Sequence, residues 1–246
     1  MKLIKILTIV LFFSTNVLAD TIYYLLRIPN LEIVDFENNN QIKTFKAKKY
    51  FKVGFKDNNV ECYSPNNQLI KEKKNLIIEN MNIYSEIFLN KINLKFIVIC
   101  KDLQVASIPA LGVPNHALKT IIININIDDY KLSRTIHHEI FHVINDQFID
   151  IFKTSDWESL NSYQFKYADC STCTDKYGME LVENKKGFLS EYSQSTPRED
   201  MAETYSFLIL NDAKTRKVIS NDNILTNKIN YIKSRIYKID KNFKFD

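Results

Sequence analysis

The sequence predicts an α+β fold, a small twisted sheet packed on helices, and three observations lead there. Short β-rich runs, residues 94–99 and 120–127 the clearest, stand between longer segments whose apolar residues recur at helical spacing. One such segment, residues 132 to about 148, carries a histidine-rich cluster. Hydrophobic residues make up 45% of the 246 positions, near the globular average, so one sizeable core can be buried in a single domain.

The chain opens with Lys2 and Lys5 ahead of a mostly apolar run over residues 6–13, then small or polar residues ending in Val17-Leu18-Ala19. That pattern reads as a signal peptide over residues 1–19, cleaved after Ala19, with residues 20–246 as the mature domain. A membrane anchor is the competing reading, but the apolar run is well short of the roughly 20 residues a spanning helix needs. Asp20 rather than cysteine follows, so nothing suggests lipid attachment. Cleavage removes two lysines and no acid, lowering the formal charge from +4 to +2, too small a balance to imply nucleic acid. The expectation is a secreted or periplasmic monomer with no stable membrane anchor. Export favours disulfides, so Cys62, Cys100, Cys170 and Cys173 are expected to pair, in any of three ways. A local Cys170–Cys173 bridge or a long-range pair with Cys62 or Cys100 is preferred to a zinc knuckle, because no second CxxC supports one.

Residues 21–63 alternate strand-like pieces, 22–27 and 50–55, with polar breaks at Asn38-Asn39-Asn40 and Asn58-Asn59, which suggests hairpins. Between residues 72 and 92, Leu76, Ile77, Met81, Tyr84, Ile87 and Phe88 mark an amphipathic helix. The two β-rich runs follow, separated by a loop containing Pro109, Gly112 and Pro114. From 132 to about 148, Ile136, Ile140, Phe141, Val143, Ile144 and Phe148 form an apolar stripe, with Ser133 as N-cap. Residues 150–190 are polar, aromatic-rich and poorly periodic, an irregular insertion long enough to hint at a functional loop. Thr196-Pro197-Arg198-Glu199 is a capping box with proline at the first helical position, opening a helix through Leu210. A last helix spans about 224–239.

The chemistry concentrates at His138-Glu139-Ile140-Phe141-His142, an HExxH sequence. On a helix, positions i and i+4 face the same way, so both imidazoles reach one metal, one zinc per chain. Glu139 then points at a zinc-bound water as general base. A catalytic zinc site wants a third protein ligand, and the carboxylates of the later helix supply candidates. Glu199 sits where the capping box would use it, which favours Glu203, one turn inward. Asp200 is a candidate hydrogen-bond acceptor for a ligand imidazole, or a solvated first-turn acid. His137 is rotated about 100° from His138 and reads as structural, while His116 is a lesser alternative to Glu203.

HHEIFH, then Gly187-Phe188-Leu189-Ser190-Glu191-Tyr192, then PREDMAETYSFL, resemble the catalytic domain of the anthrax lethal factor and Pro-Pro endopeptidase group. The likeness is strongest to its bacterial "putative zinc-binding metallopeptidase" branch and covers roughly residues 70–240. It implies a zincin-type fold, with the strand at 120–127 near the cleft and the HExxH helix beneath it. It also implies that the glutamate after Ala202, Glu203, is the third zinc ligand, and that Tyr192 approaches the metal and stabilises an oxyanion. The expected activity is zinc-dependent endopeptidase hydrolysis of a peptide or protein. A zinc-holding recognition module and a host-directed effector protease with a single target are the alternatives. The long 150–190 insertion departs from compact members, so no substrate preference, for proline or otherwise, carries over.

Overall fold

Nine strands and seven α-helices make up the residues described by the computed structural model, 31–53 and 59–245. The strands, in chain order, are β1 (Leu31–Val34), β2 (Lys43–Ala47), β3 (Phe51–Val53), β4 (Val60–Cys62), β5 (Phe96–Cys100), β6 (Leu103–Val105), β7 (Ile108–Ala110), β8 (Gly112–Asn115) and β9 (Thr120–Asn124). The expected signal peptide and the strand expected at 22–27 lie outside the described residues. The mixed α+β class is as the sequence predicts.

Five strands form one sheet in the order β1-β2-β5-β9-β8, with β2, β5 and β9 parallel and the outer strands antiparallel. The central runs FIVIC and TIIIN are apolar nearly throughout because both faces are covered. Their side chains alternate accordingly. Ile97, Ile99, Ile121 and Ile123 face the helical core, while Val98, Cys100 and Ile122 face a second, four-stranded sheet in the order β3-β4-β6-β7. The disulfide Cys62–Cys100 ties β4 of the small sheet to β5 of the large one, and Cys170–Cys173 is the second bridge. Of the two alternatives for Cys170 and Cys173 the local bridge is the one made, and Cys62 and Cys100 pair with each other rather than with either of them.

The stretch expected to be a loop around Pro109, Gly112 and Pro114 instead forms β7 and β8, joined through Leu111. Each is the last strand of its sheet. Residues 120–127 are thus not the strand bordering the cleft, because β8 lies outside β9 and takes that place.

The helix expected over 72–92 is two helices, α1 (Asn67–Asn82) and α2 (Glu86–Lys91). Ser85 adopts an extended conformation and its hydroxyl accepts from Phe88 N–H, capping α2 and breaking the run. Helix α3 (Asp129–Gln147) carries HExxH. It starts four residues before the expected cap, because Asp128 accepts from Lys131 N–H at 2.9 Å. Ser133 is buried inside the helix and accepts from Asn80 Nδ2. The short α4 (Thr154–Glu158) interrupts the insertion. Helix α5 (Pro197–Leu210) begins at the Thr196 cap and stops at Asn211, which takes the left-handed conformation at φ 45°. Helices α6 (Ala213–Ser220) and α7 (Asn223–Ile239) complete the layer. Helices α3 and α5 pack along their length through Ile140, Phe141, Ile144, Met201, Ala202 and Tyr205. No helix among the described residues is long and apolar enough to cross a membrane.

Candidate metal centre

The α3 helical frame places His138 and His142 one turn apart, with their Nε2 atoms 3.1 Å from each other. Across the α3–α5 interface, Glu199 Oε2 lies 3.0 Å from His138 Nε2 and 3.2 Å from His142 Nε2. These three donor atoms all fall within 4.8 Å of one another, and together they form the metal-type cluster found among the described residues. Two imidazole nitrogens and one carboxylate oxygen converging on a point make a donor set suited to zinc, with room left for a fourth ligand.

Glu203, the third ligand expected from the sequence, stands outside this cluster, where Glu199 takes its place. Glu203 Oε1 lies 3.0 Å from His138 Nδ1, and its Oε2 accepts from Arg134 at 2.6 Å and from the Ser190 hydroxyl. Both of its oxygens are thus engaged by these donors rather than by the Nε2 atoms of the cluster. What Glu203 does is orient His138: a carboxylate on Nδ1 fixes the tautomer that leaves Nε2 available to a metal. Arg134 is held in turn by stacking over Phe207, 3.6 Å from the ring centroid, and by donating to the Met179 carbonyl.

Asp200 likewise departs from expectation, since it bonds no imidazole. Its Oδ2 accepts from Trp157 Nε1 at 2.8 Å, Tyr167 at 2.5 Å and Lys228 Nζ at 2.6 Å. Both Asp200 and Lys228 side chains are fully buried. Lys228 also donates to Gly187 O and sits over Phe188, so this pair joins α5 and α7 to the insertion. His137 is structural, as its helix position predicts. Its ring bonds Tyr84 and Asn80, and burial lowers its pKa to about 3. His116 is not part of the cluster and pairs with Gln147.

Electrostatics at the site favour a cation. Burial works against a charged His138, but hydrogen bonds to Glu199 and Glu203 outweigh it and raise its pKa to about 10. Burial also opposes ionisation of Glu203, yet the Arg134 charge and the His138 bond hold its carboxyl down at about 2. Glu199 is held well below the usual carboxylate range by the two histidines despite its own burial. The negative field that retains a proton on His138 is the field that would retain a metal ion in its place.

Glu139 is buried, and its Oε2 has no hydrogen-bond partner, an uncompensated polar atom at the edge of the cluster. Burial raises its pKa, partly offset by His138 and His142. Gly112 of β8 backs directly onto it: a Cβ on that glycine would stand 2.5 Å from Glu139 Cγ. Only glycine lets the edge strand come this close to the carboxylate. Tyr192 sits in a 3-10 turn with its ring stacked 6.1 Å from that of His138. Burial, then the negative charges of Glu199, Glu139 and Glu203, push its phenol up, so it stays protonated and able to donate. A cleft of about 560 Å³ runs past these groups, lined by β7 and β8 on one side and by the insertion on the other.

A family model described as "Putative zinc-binding metallo-peptidase" matches residues 63–236, well over half of the chain. The protein belongs to this zinc-binding metallo-peptidase family. The match spans α3, the insertion and α5, so every residue of the cluster lies inside the metallo-peptidase region. Among solved structures, a putative zinc-binding metallo-peptidase from Bacteroides caccae is similar at 14% identity with a TM-score of 0.43, covering 92% of this chain and 87% of that one. A search of curated proteins finds no match.

Sequence reasoning missed Arg134, Ser190 and Gly112, and ranked Glu199 second. Arg134 had a signal: it lies four residues before His138, on the helix face that must be buried. Glu199 is hidden by its capping-box position. In the fold Thr196 caps its backbone N–H at 3.2 Å, which leaves the Glu199 carboxylate to the histidines.

Proposed function

We propose that the protein is an exported zinc-dependent endopeptidase that hydrolyses internal peptide bonds of a peptide or protein substrate. The observation that carries this reading is the convergence of His138 Nε2, His142 Nε2 and Glu199 Oε2 beside the unpartnered buried carboxylate of Glu139. Those three donors would hold one zinc ion, which supplies a Lewis acid that acidifies water and polarises a carbonyl. Glu139 takes the proton from the attacking water and later returns it to the leaving amine, a role that its raised pKa and its place in the cleft both suit. Tyr192 donates its phenolic hydrogen to the oxyanion that develops on the substrate carbonyl. The substrate lies extended along β8 and adds a strand to that edge. No covalent intermediate with the chain forms.

Export is supported by the two disulfides, which suit an oxidising compartment, and by the leader-like residues 1–19. The wider likeness to the anthrax lethal factor and Pro-Pro endopeptidase group belongs to this reading as well.

The test is elemental analysis together with digestion of a random peptide library. Wild type should bind one zinc per chain and cut the library, whereas Glu139→Gln should keep its zinc and lose turnover by about a thousandfold or more. A zinc-loaded Glu139→Gln protein that cuts as well as wild type would sink the general-base role. A wild type that binds no zinc would turn the site into a metal-free recognition surface.

A further inference from the structure

The cleft beside Glu139 has one apolar arm, and both of its walls are built rather than incidental. On one side, Ile108 and Ala110 of β7 lie two residues apart in an edge strand, which brings their side chains to the same face. On the other side, Tyr177 and Met179 line the cleft while Gly178 between them turns the opposite way. A Cβ on Gly178 would meet Glu191 Oε2 at 2.7 Å, and its carbonyl accepts from Tyr192 N–H at 2.9 Å. The 177–179 segment is therefore pressed against the turn that carries Tyr192.

It is also tied to the metal centre. The Met179 carbonyl accepts from Arg134, which bonds Glu203, which bonds His138. The wall of the apolar arm and a metal-facing histidine thus share one hydrogen-bond chain, so their spacing is fixed.

Ile108 and Tyr177 are each 55% exposed, so facing walls of a cleft that opens onto a buried carboxylate both present a large apolar side chain to an incoming peptide. Beyond Glu199 the molecule offers a second cavity, of about 720 Å³, with a mixed lining in which Glu158, Lys166, Asp169 and Arg198 stand beside Phe165 and Tyr167. The two cavities meet at Ser171, which lines both.

We propose that the apolar arm is a specificity subsite which selects substrates with a bulky aliphatic or aromatic side chain on one fixed side of the cleaved bond, gripped between Ile108–Ala110 and Tyr177–Met179. This rests on the peptidase reading and names its substrate class.

The experiment uses the zinc-loaded full-length mature protein on a random peptide library, with sequencing of the products, followed by calorimetric binding of one cut peptide to the Glu139→Gln protein. Leu, Ile, Phe, Tyr or Met should dominate one position flanking the cut by about tenfold or more over Asp and Lys. Replacing that residue by Asp in the probe peptide should weaken its binding to Glu139→Gln by a similar factor. Tyr177→Glu should erase the preference and the binding difference while zinc content stays at the wild-type level, and Ile108→Glu should do the same, both at exposed positions where folding is not at stake. Cutting without any apolar preference, or a preference untouched by both variants, overturns the subsite and leaves the peptidase reading intact. Failure of zinc-loaded wild type to cut any peptide overturns the peptidase reading, and the subsite falls with it.

Discussion

The first and second turns of α5 each aim a glutamate at α3, yet the two carboxylates have opposite surroundings. Glu199 meets only the Nε2 atoms of His138 and His142. Glu203 meets an arginine, a serine and the far nitrogen of His138. The same residue type on the same helix is in one case turned to the two histidine Nε2 atoms and in the other a bracket engaged by three donors. Which carboxylate reaches the histidine cluster therefore follows from what else competes for it. Spacing along the helix only nominates candidates.

The contrast breaks most sharply through direct exchange of roles. Glu199→Ala should abolish stoichiometric zinc binding by elemental analysis, while Glu203→Gln, which keeps the shape and loses the charge, should still bind the ion. If Glu203→Gln empties the site and Glu199→Ala does not, the assignment is reversed. A smaller effect follows from the third acid of the helix. Lys228→Met leaves the Asp200 charge buried without its cation and should cost about 3–5 kcal/mol in denaturant unfolding. A cost near zero would mean the pair tethers nothing. The bracket itself sharpens the comparison: Glu203→Gln should weaken zinc affinity by about 10- to 100-fold in a competition titration with a chelator, the usual loss when an outer hydrogen-bond partner of a ligand histidine is removed. The mildest change lies across the cleft. Gly112→Ala must push Glu139 aside, so kcat should fall by about a hundredfold or less with zinc affinity unchanged.

Much of this was legible in the sequence where a local rule governs. The Thr196-Pro197 signal gives the start of α5, and the i, i+4 histidine pair gives half of the metal cluster. The last helix follows from its own periodicity, with Asp222 capping it. What escaped depends on contacts between distant segments. The strands β7 and β8 look like a loop because Pro109, Gly112 and Pro114 are turn residues, and only the pairing with β6 and β9 makes them extended. Ser85 and Asp128 out-compete the apolar periodicity at helix ends, which moves two boundaries. Glu203 was favoured by the capping box assigned to Glu199. Only the Arg134 guanidinium, 69 residues away in sequence, settles which carboxylate is engaged elsewhere.

The two edge strands that line the cleft, β7 and β8, also bear on how copies of the protein avoid pairing with one another. A sheet edge left open for a guest strand is open as well to a neighbouring copy, which is how edge-to-edge aggregation begins. Both β7 and β8 contain a proline, Pro109 and Pro114, which interrupts the row of N–H donors without filling the groove. A short segment can still dock with its own donors and acceptors in the remaining positions, whereas a long continuous ladder between two such edges cannot propagate. The prolines that disguise these strands in the sequence are the gatekeepers that let them stay uncovered.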